Sequence, residues 1–74
     1  MKTYKLGDMY IVPANITTLS VSGRGDGILG GHIGLLINGH YIKIEECNGE
    51  EAARKAVEKS QKIIGEIVEI IESE

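Results

Sequence analysis

The dipeptide Asn38-Gly39 sets the tightest limit on how this chain folds. It separates two runs rich in aliphatic and β-branched residues, 32–37 and 40–46. A type I′ turn needs positive φ at both central residues, and Asn-Gly is the pair that adopts it most readily. The pattern therefore predicts a β-hairpin with a two-residue loop.

A two-residue loop also determines which side chains share a face of this hairpin. One face is expected to carry the core, with Ile33 opposite Ile44. On the other face His32 is expected to lie opposite Glu45. The simpler interpretation is an exposed cross-strand pair, and the alternative is an acid–base pair in catalysis. That outer face also carries two residues that we predict to bind a protein partner, because aromatic and aliphatic side chains on an open sheet favour such contacts: Leu36 and Tyr41.

Upstream of this hairpin the chain predicts further antiparallel strands. Residues 3–6 and 9–12 flank Gly7-Asp8, which is typical of a tight turn, and Pro13 then interrupts strand pairing. Residues 16–22 alternate apolar and hydroxyl side chains, the pattern of a half-buried strand. We therefore expect a small antiparallel meander of four to five strands over residues 1–47.

The last third of the chain has helical spacing. Asn48 and Glu51 resemble a capping box, so a helix is expected over residues 49–73. Gly65 leaves an alternative, in which the helix ends there and residues 66–72 form a strand, although the doublets 67/68 and 70/71 favour a helix. The expected fold is α+β, one domain over residues 1–74, with the meander packed on one long C-terminal helix.

A helix of this length is expected to extend past the sheet and to pair with a second chain. Its first half is basic and its second half acidic, which favours an antiparallel pair in a dimer or a tetramer. The predicted oligomerisation residues are the aliphatic side chains of the second half: Ile63, Ile64, Ile67, Val68, Ile70 and Ile71.

Small size supports that expectation, because a 74-residue domain has a thin core. The single cysteine, Cys47, excludes an intramolecular disulfide, and we expect it to be buried beside the helix. One cysteine and two histidines do not make a structural zinc site, so no metal is predicted. No nucleophile, base and orienting group stand at recognisable spacing, so neither catalytic residues nor a cofactor are predicted.

Charge and hydropathy exclude further partners. Eight basic residues stand against eleven acidic ones, for a net charge of −3, which does not favour nucleic acid. The chain shows no apolar leader segment, and no stretch approaches the ~18 apolar residues that span a bilayer. We therefore expect a cytoplasmic protein that binds neither nucleic acid nor membrane.

The glycine-rich segment 23–32 is the most unusual part of the sequence. Glycine loops let backbone amides converge on an anion, and an arginine adds a bidentate donor to phosphate or carboxylate. The segment matches neither common phosphate-loop signature, and a plain hairpin connection is the simpler interpretation. The candidate ligand residues are Arg24, Gly25, Asp26, Gly27, Gly30, Gly31 and His32.

Two stretches, KLGDMYIVPANITTLSV and HIGLLINGHYIKIEECNGEEAARKAVEKSQKII, resemble small accessory proteins of bacterial phages and prophages. That resemblance implies a meander followed by one helix, and an accessory role such as docking on and inhibiting a host protein. The stretch NGEEAARKAVEKSQKIIGEIVEI is also similar to the closing part of bacterial microcompartment shell domains. The expected functions are therefore an oligomeric binding protein, a binder of a small anion or nucleotide, or a minor shell subunit.

Overall fold

A computed structural model describes residues 2–26 and 30–73 and gives an α+β fold, as predicted. Strands β1 (Tyr4–Leu6) and β2 (Met9–Ile11) form one antiparallel sheet. A 3₁₀ turn, Pro13–Asn15, leads to a second antiparallel sheet in the order β3-β4-β5. The remaining bounds are β3 (Leu19–Asp26), β4 (Gly30–Ile37), β5 (His40–Cys47) and one helix, α1 (Glu50–Glu72). The strands thus divide between two sheets, and neither sheet reaches the four strands expected of a single meander.

Both predicted tight turns are present. Asn38 and Gly39 have φ of 52° and 85°, so the β4–β5 hairpin closes through two residues in the left-handed region. Only glycine and asparagine enter that region readily, which explains the dipeptide. Gly7, with φ of 63°, serves the β1–β2 turn.

A β-bulge changes the predicted register of the β4–β5 hairpin. Pairing follows the prediction from the turn to Gly34 and Lys43, and then shifts between Ile33 and Gly34. Beyond the shift Ile33 lies opposite Glu45, so its predicted pairing with Ile44 is wrong. A Cβ on Gly34 would overlap the carbonyl oxygen of Ile42, so the glycine permits the close backbone approach at the bulge.

Strand β3 begins three residues later than predicted because the side chain of Asn38 holds the preceding segment. Its Oδ1 accepts the backbone N–H groups of Thr17 and Thr18 at 2.7 and 3.1 Å, and its Nδ2 donates to the carbonyl of Asn15 at 3.0 Å. The side chain of Asn38 thus pairs with backbone N–H and C=O groups that would otherwise be free to pair with a neighbouring strand. The turn residue that closes one hairpin therefore also sets where the neighbouring strand starts.

The glycine-rich segment is mostly strand, so its interpretation as a loop is wrong. Residues 23–26 pair with 30–33 in the β3–β4 ladder. Alternation puts Gly23, Gly25 and Gly31 on the side that faces the helix. Strand pairing extends to Asp26 and Gly30, so only the residues between these two positions remain to connect β3 and β4.

Helix α1 runs without interruption through Gly65 to Glu72, so the alternative of a strand at its end is wrong. Its N-cap is Gly49, with φ of 102° and no side-chain capping bond, so the predicted cap at Asn48 is also wrong. A mid-helix glycine costs about 1 kcal/mol relative to alanine. A Cβ on Gly65 would meet nothing within 4 Å, so contacts within the chain do not require this glycine.

The core lies between α1 and both sheets. Ile67 and Leu35 are fully buried, and Ile11 of the small sheet and Ile37 of the large one join them. The expectation that Ile67 needs a second chain is therefore wrong, because β2 and the 3₁₀ turn bring their own cover to this part of the helix. None of the described helices is long and apolar enough to cross a membrane.

Candidate functional site

The three-stranded sheet has an inner face, which packs against α1, and an opposite, outer face. Strand alternation determines which side chains point outward. The register across β3, β4 and β5 puts Arg24 beside His32, and Leu36 beside Tyr41. The outer face carries Ser20, Ser22, Arg24, His32, Gly34, Leu36, Tyr41 and Lys43.

Three of these side chains form what we call the Tyr41 cluster: Arg24, His32 and Tyr41. The Tyr41 hydroxyl and Nδ1 of His32 share a hydrogen bond of 2.7 Å, with their rings 5.3 Å apart and tilted by 43°. The guanidinium carbon of Arg24 lies 4.7 Å from the centre of the Tyr41 ring, a cation–π contact. Gly34 lies between Tyr41 and His32 in the register.

Tyr41 is protonated at neutral pH, because the pKa of its hydroxyl lies above the ordinary value of 10.0. Burial raises the pKa of the Tyr41 hydroxyl, and the Arg24 guanidinium offsets part of that rise. Arg24 holds the ring of Tyr41 and His32 holds its hydroxyl, so the aromatic surface is fixed. A side chain that is already fixed loses little conformational entropy when a partner binds, which favours it in binding surfaces.

Tyr41 also lines a cavity, which we call the Tyr41 groove. This open groove of about 490 Å³ lies between β2 and the β4–β5 turn. Its volume is within the range of ligand-binding pockets. Two of its lining residues, Met9 and Tyr10, are 48% and 66% exposed. The full lining is Met9, Tyr10, Ile11, Val12, Asn15, Ile16, Ile37, Asn38, His40, Tyr41 and Ile42.

The predicted ligand residues come together only in part. Arg24, Gly25, Gly31 and His32 line a second cavity of about 160 Å³, next to Cys47 and Ala53. Gly31 and His32 lie in the central strand, which pairs with both neighbouring strands. This volume is below the ~300 Å³ at which pockets for small-molecule ligands usually begin, so it is small for a nucleotide. The cavity that these four residues share is therefore too small for the nucleotide that was one of the expected ligands.

The remaining predicted ligand residues add little to that cavity. Gly30 lines a shallower depression of about 380 Å³ together with Gly31 and His32. Asp26 pairs with Gly30 through the backbone, and Gly27 lies outside the described residues.

The structure separates the expected His32–Glu45 pair. The bulge puts Glu46 opposite His32, and the Glu45 carboxylate instead accepts a 2.9 Å bond from Lys59 of α1. Lys43, at 3.0 Å, lowers the pKa of the Glu46 carboxyl through a hydrogen bond. The acid–base interpretation of His32 and Glu45 is therefore wrong.

Cys47 is 5% exposed, which confirms its predicted burial. Its thiol lies 3.8 Å from the carbonyl of Glu45. Among residues 2–26 and 30–73, no group of three His, Cys, Asp or Glu side chains is placed to hold a metal ion.

The Tyr41 groove is the feature that the sequence patterns did not indicate. Its walls come from β2 and from β4–β5, which are remote in the chain and belong to different sheets. The local signals are two aromatic residues: Tyr41, which was predicted to bind a partner, and Tyr10, which lies in a short strand with few core positions.

No protein-family model, no curated protein and no solved structure matches this chain. Its function is therefore inferred from the residues of the site.

Proposed function

We propose that this protein is a binding module that docks on another protein and modulates it, with the Tyr41 groove and the Tyr41 cluster as its contact surface. One observation carries the proposal: Tyr41 belongs to both. A partner that enters the groove therefore also meets the Arg24 side of the cluster. An accessory role of this kind is also what the phage resemblance implies.

The shape of the groove favours a segment of protein over a small molecule. Small ligands are usually held in cavities that bury most of their surface. This groove is open, and Tyr10 and Met9 stand exposed at its margin. A larger partner would cover both side chains. Tyrosine and arginine are also the residues that most often dominate the energy of protein interfaces.

The chemistry of the surface indicates what the partner presents. Aliphatic walls such as Val12 and Ile16 accept an aromatic or aliphatic side chain. Arg24 is exposed, and its planar guanidinium pairs best with a carboxylate. The partner segment is therefore an apolar residue with an acidic residue nearby. Leu36, which pairs with Tyr41 across the strands, extends the apolar contact along the sheet.

Selection from a library of displayed random peptides tests this proposal, because it samples many partner sequences at once. The immobilised wild-type chain should enrich peptides that carry an apolar residue beside Asp or Glu. These peptides should lose binding to Tyr41→Ala and keep it on Lys55→Ala, a change at an exposed helix position with 77% of its side chain accessible. Enrichment that is equal on wild type and Tyr41→Ala would refute the proposed surface.

Two further variants divide the surface into its apolar and charged parts. Arg24→Ala should remove the preference for acidic residues while apolar side chains still bind. Tyr10→Ala should weaken binding of every selected peptide, because it removes part of the groove wall. Peptides whose acidic preference persists in Arg24→Ala would contradict the role given to the guanidinium.

A further inference from the structure

Helix α1 carries an apolar stripe on the flank beside its core-facing side. The stripe repeats at steps of four and three, the spacing of a helix–helix seam. Val68 and Ile71 are 37% and 38% exposed, and Val57 and Ile64 are only partly covered. The stripe consists of Val57, Gln61, Ile64, Val68 and Ile71.

Gly65 lies next to this stripe. It is exposed, and its Cβ position faces open space, so the cost of a mid-helix glycine is not explained within the chain. Glycine on a helix surface allows the backbone of a second helix to approach closely. A second helix packed against α1 at this point would account for Gly65.

The charges beside the stripe identify that helix. Arg54 and Glu72 lie near opposite ends of α1. Both face the same flank, because the eighteen residues between one position and the other make five full turns. An antiparallel pair of identical helices places Arg54 of each chain opposite Glu72 of the other, whereas a parallel pair places Arg54 against Arg54. Opposite charges in register favour the antiparallel arrangement.

We infer that α1 pairs antiparallel with α1 of a second copy along this stripe, with Gly65 close to the crossing and Arg54 opposite Glu72 of the second copy. The contact is isologous, so it closes as a dimer. It uses a helix flank and none of the residues of the Tyr41 groove. The pairing and the proposed function are therefore independent and fail separately.

A charge swap tests the pairing most directly, with mass measured by light scattering across a concentration series. The wild type should show twice the mass of the 8.0 kDa chain. Arg54→Glu should shift the equilibrium to monomer, and the double variant Arg54→Glu/Glu72→Arg should restore the dimer. Lys62→Glu is the control, since it changes the charge equally but lies about 100° round the helix from Gln61.

Two uncharged positions complete the test. Val68→Asp should abolish the dimer while circular dichroism keeps the wild-type helix content. Gly65→Ala should raise the melting temperature of the monomer and yet weaken the dimer. A wild type that stays monomeric at every concentration, or a double variant that does not recover the dimer, would overturn the inference. An unchanged dimer in Gly65→Ala would overturn the close approach at that residue.

Discussion

The hydroxyl of Tyr41 lies 2.7 Å from Nδ1 of His32, although nine residues and a hairpin turn separate them in the chain. The bond crosses from β5 to β4 over Gly34, the position where the bulge begins. In a regular hairpin without the bulge, His32 would lie opposite Glu45. The β-bulge beside Gly34 therefore occurs together with the His32–Tyr41 contact, the only aromatic pair among the described residues of the outer face.

Tyr41→Phe should lower the free energy of unfolding by about 1 kcal/mol, the usual net value of one hydrogen bond. The ring stays in place and so does its contact with Arg24, so the loss should be smaller than that of Tyr41→Ala. Urea unfolding measures both. Tyr10→Phe is the matched control, since its side chain is largely exposed, and a loss equal to that of Tyr41→Phe would contradict the bonded role of the Tyr41 hydroxyl.

Gly34→Ala should destabilise the fold by about 3 kcal/mol, because its Cβ would overlap the backbone of Ile42 and lie 2.9 Å from Cα of Lys43. Backbone atoms at a bulge cannot move aside as a flexible side chain does. Gly23→Ala is the control in the same sheet, since its Cβ would meet Cγ1 of Ile33 at an ordinary 4.0 Å. Thermal unfolding of the two variants should differ clearly, and similar melting temperatures would show that the bulge has room for a side chain.

Ser60→Ala should stabilise the protein by about 1 kcal/mol. Within the described part of the chain, Ser60 Oγ is the buried side-chain polar atom without a hydrogen-bond partner. Alanine removes that desolvated hydroxyl and has the higher helix propensity. Glu58→Ala, at an exposed position of α1, changes helix propensity without changing the core, although its gain is the smaller because glutamate is a better helix former than serine. A gain in Ser60→Ala no larger than in Glu58→Ala would mean that the buried hydroxyl carries no penalty.

Tyr4 should make stability depend on pH in the alkaline range. Burial, together with a 2.6 Å bond that its hydroxyl donates to Glu66, raises the pKa of Tyr4 from 10.0 to about 12. The fold favours the protonated phenol, so its contribution is complete below pH 10 and is lost as pH rises through 12. The difference in unfolding free energy between wild type and Tyr4→Phe should therefore shrink between pH 10 and pH 12. A constant difference over that range would exclude the Tyr4–Glu66 bond as its source.

Local patterns were sufficient for the β4–β5 hairpin and for the helix. The turn at Asn38-Gly39 depends on the φ preferences of two neighbouring residues, and the helix depends on apolar spacing within a few turns, so both were predictable. The outward position of Tyr41 also followed from strand alternation close to the turn. Such features do not depend on residues far away in the chain.

Contacts between distant segments decided the rest. The bulge at Gly34 depends on how closely β5 approaches β4, and the cover over Ile67 depends on where the small sheet lies against α1. The groove exists only because two separate sheets leave a space between Met9 and Tyr41. Side-chain periodicity reports which face of an element is apolar, but packing determines which other element covers that face.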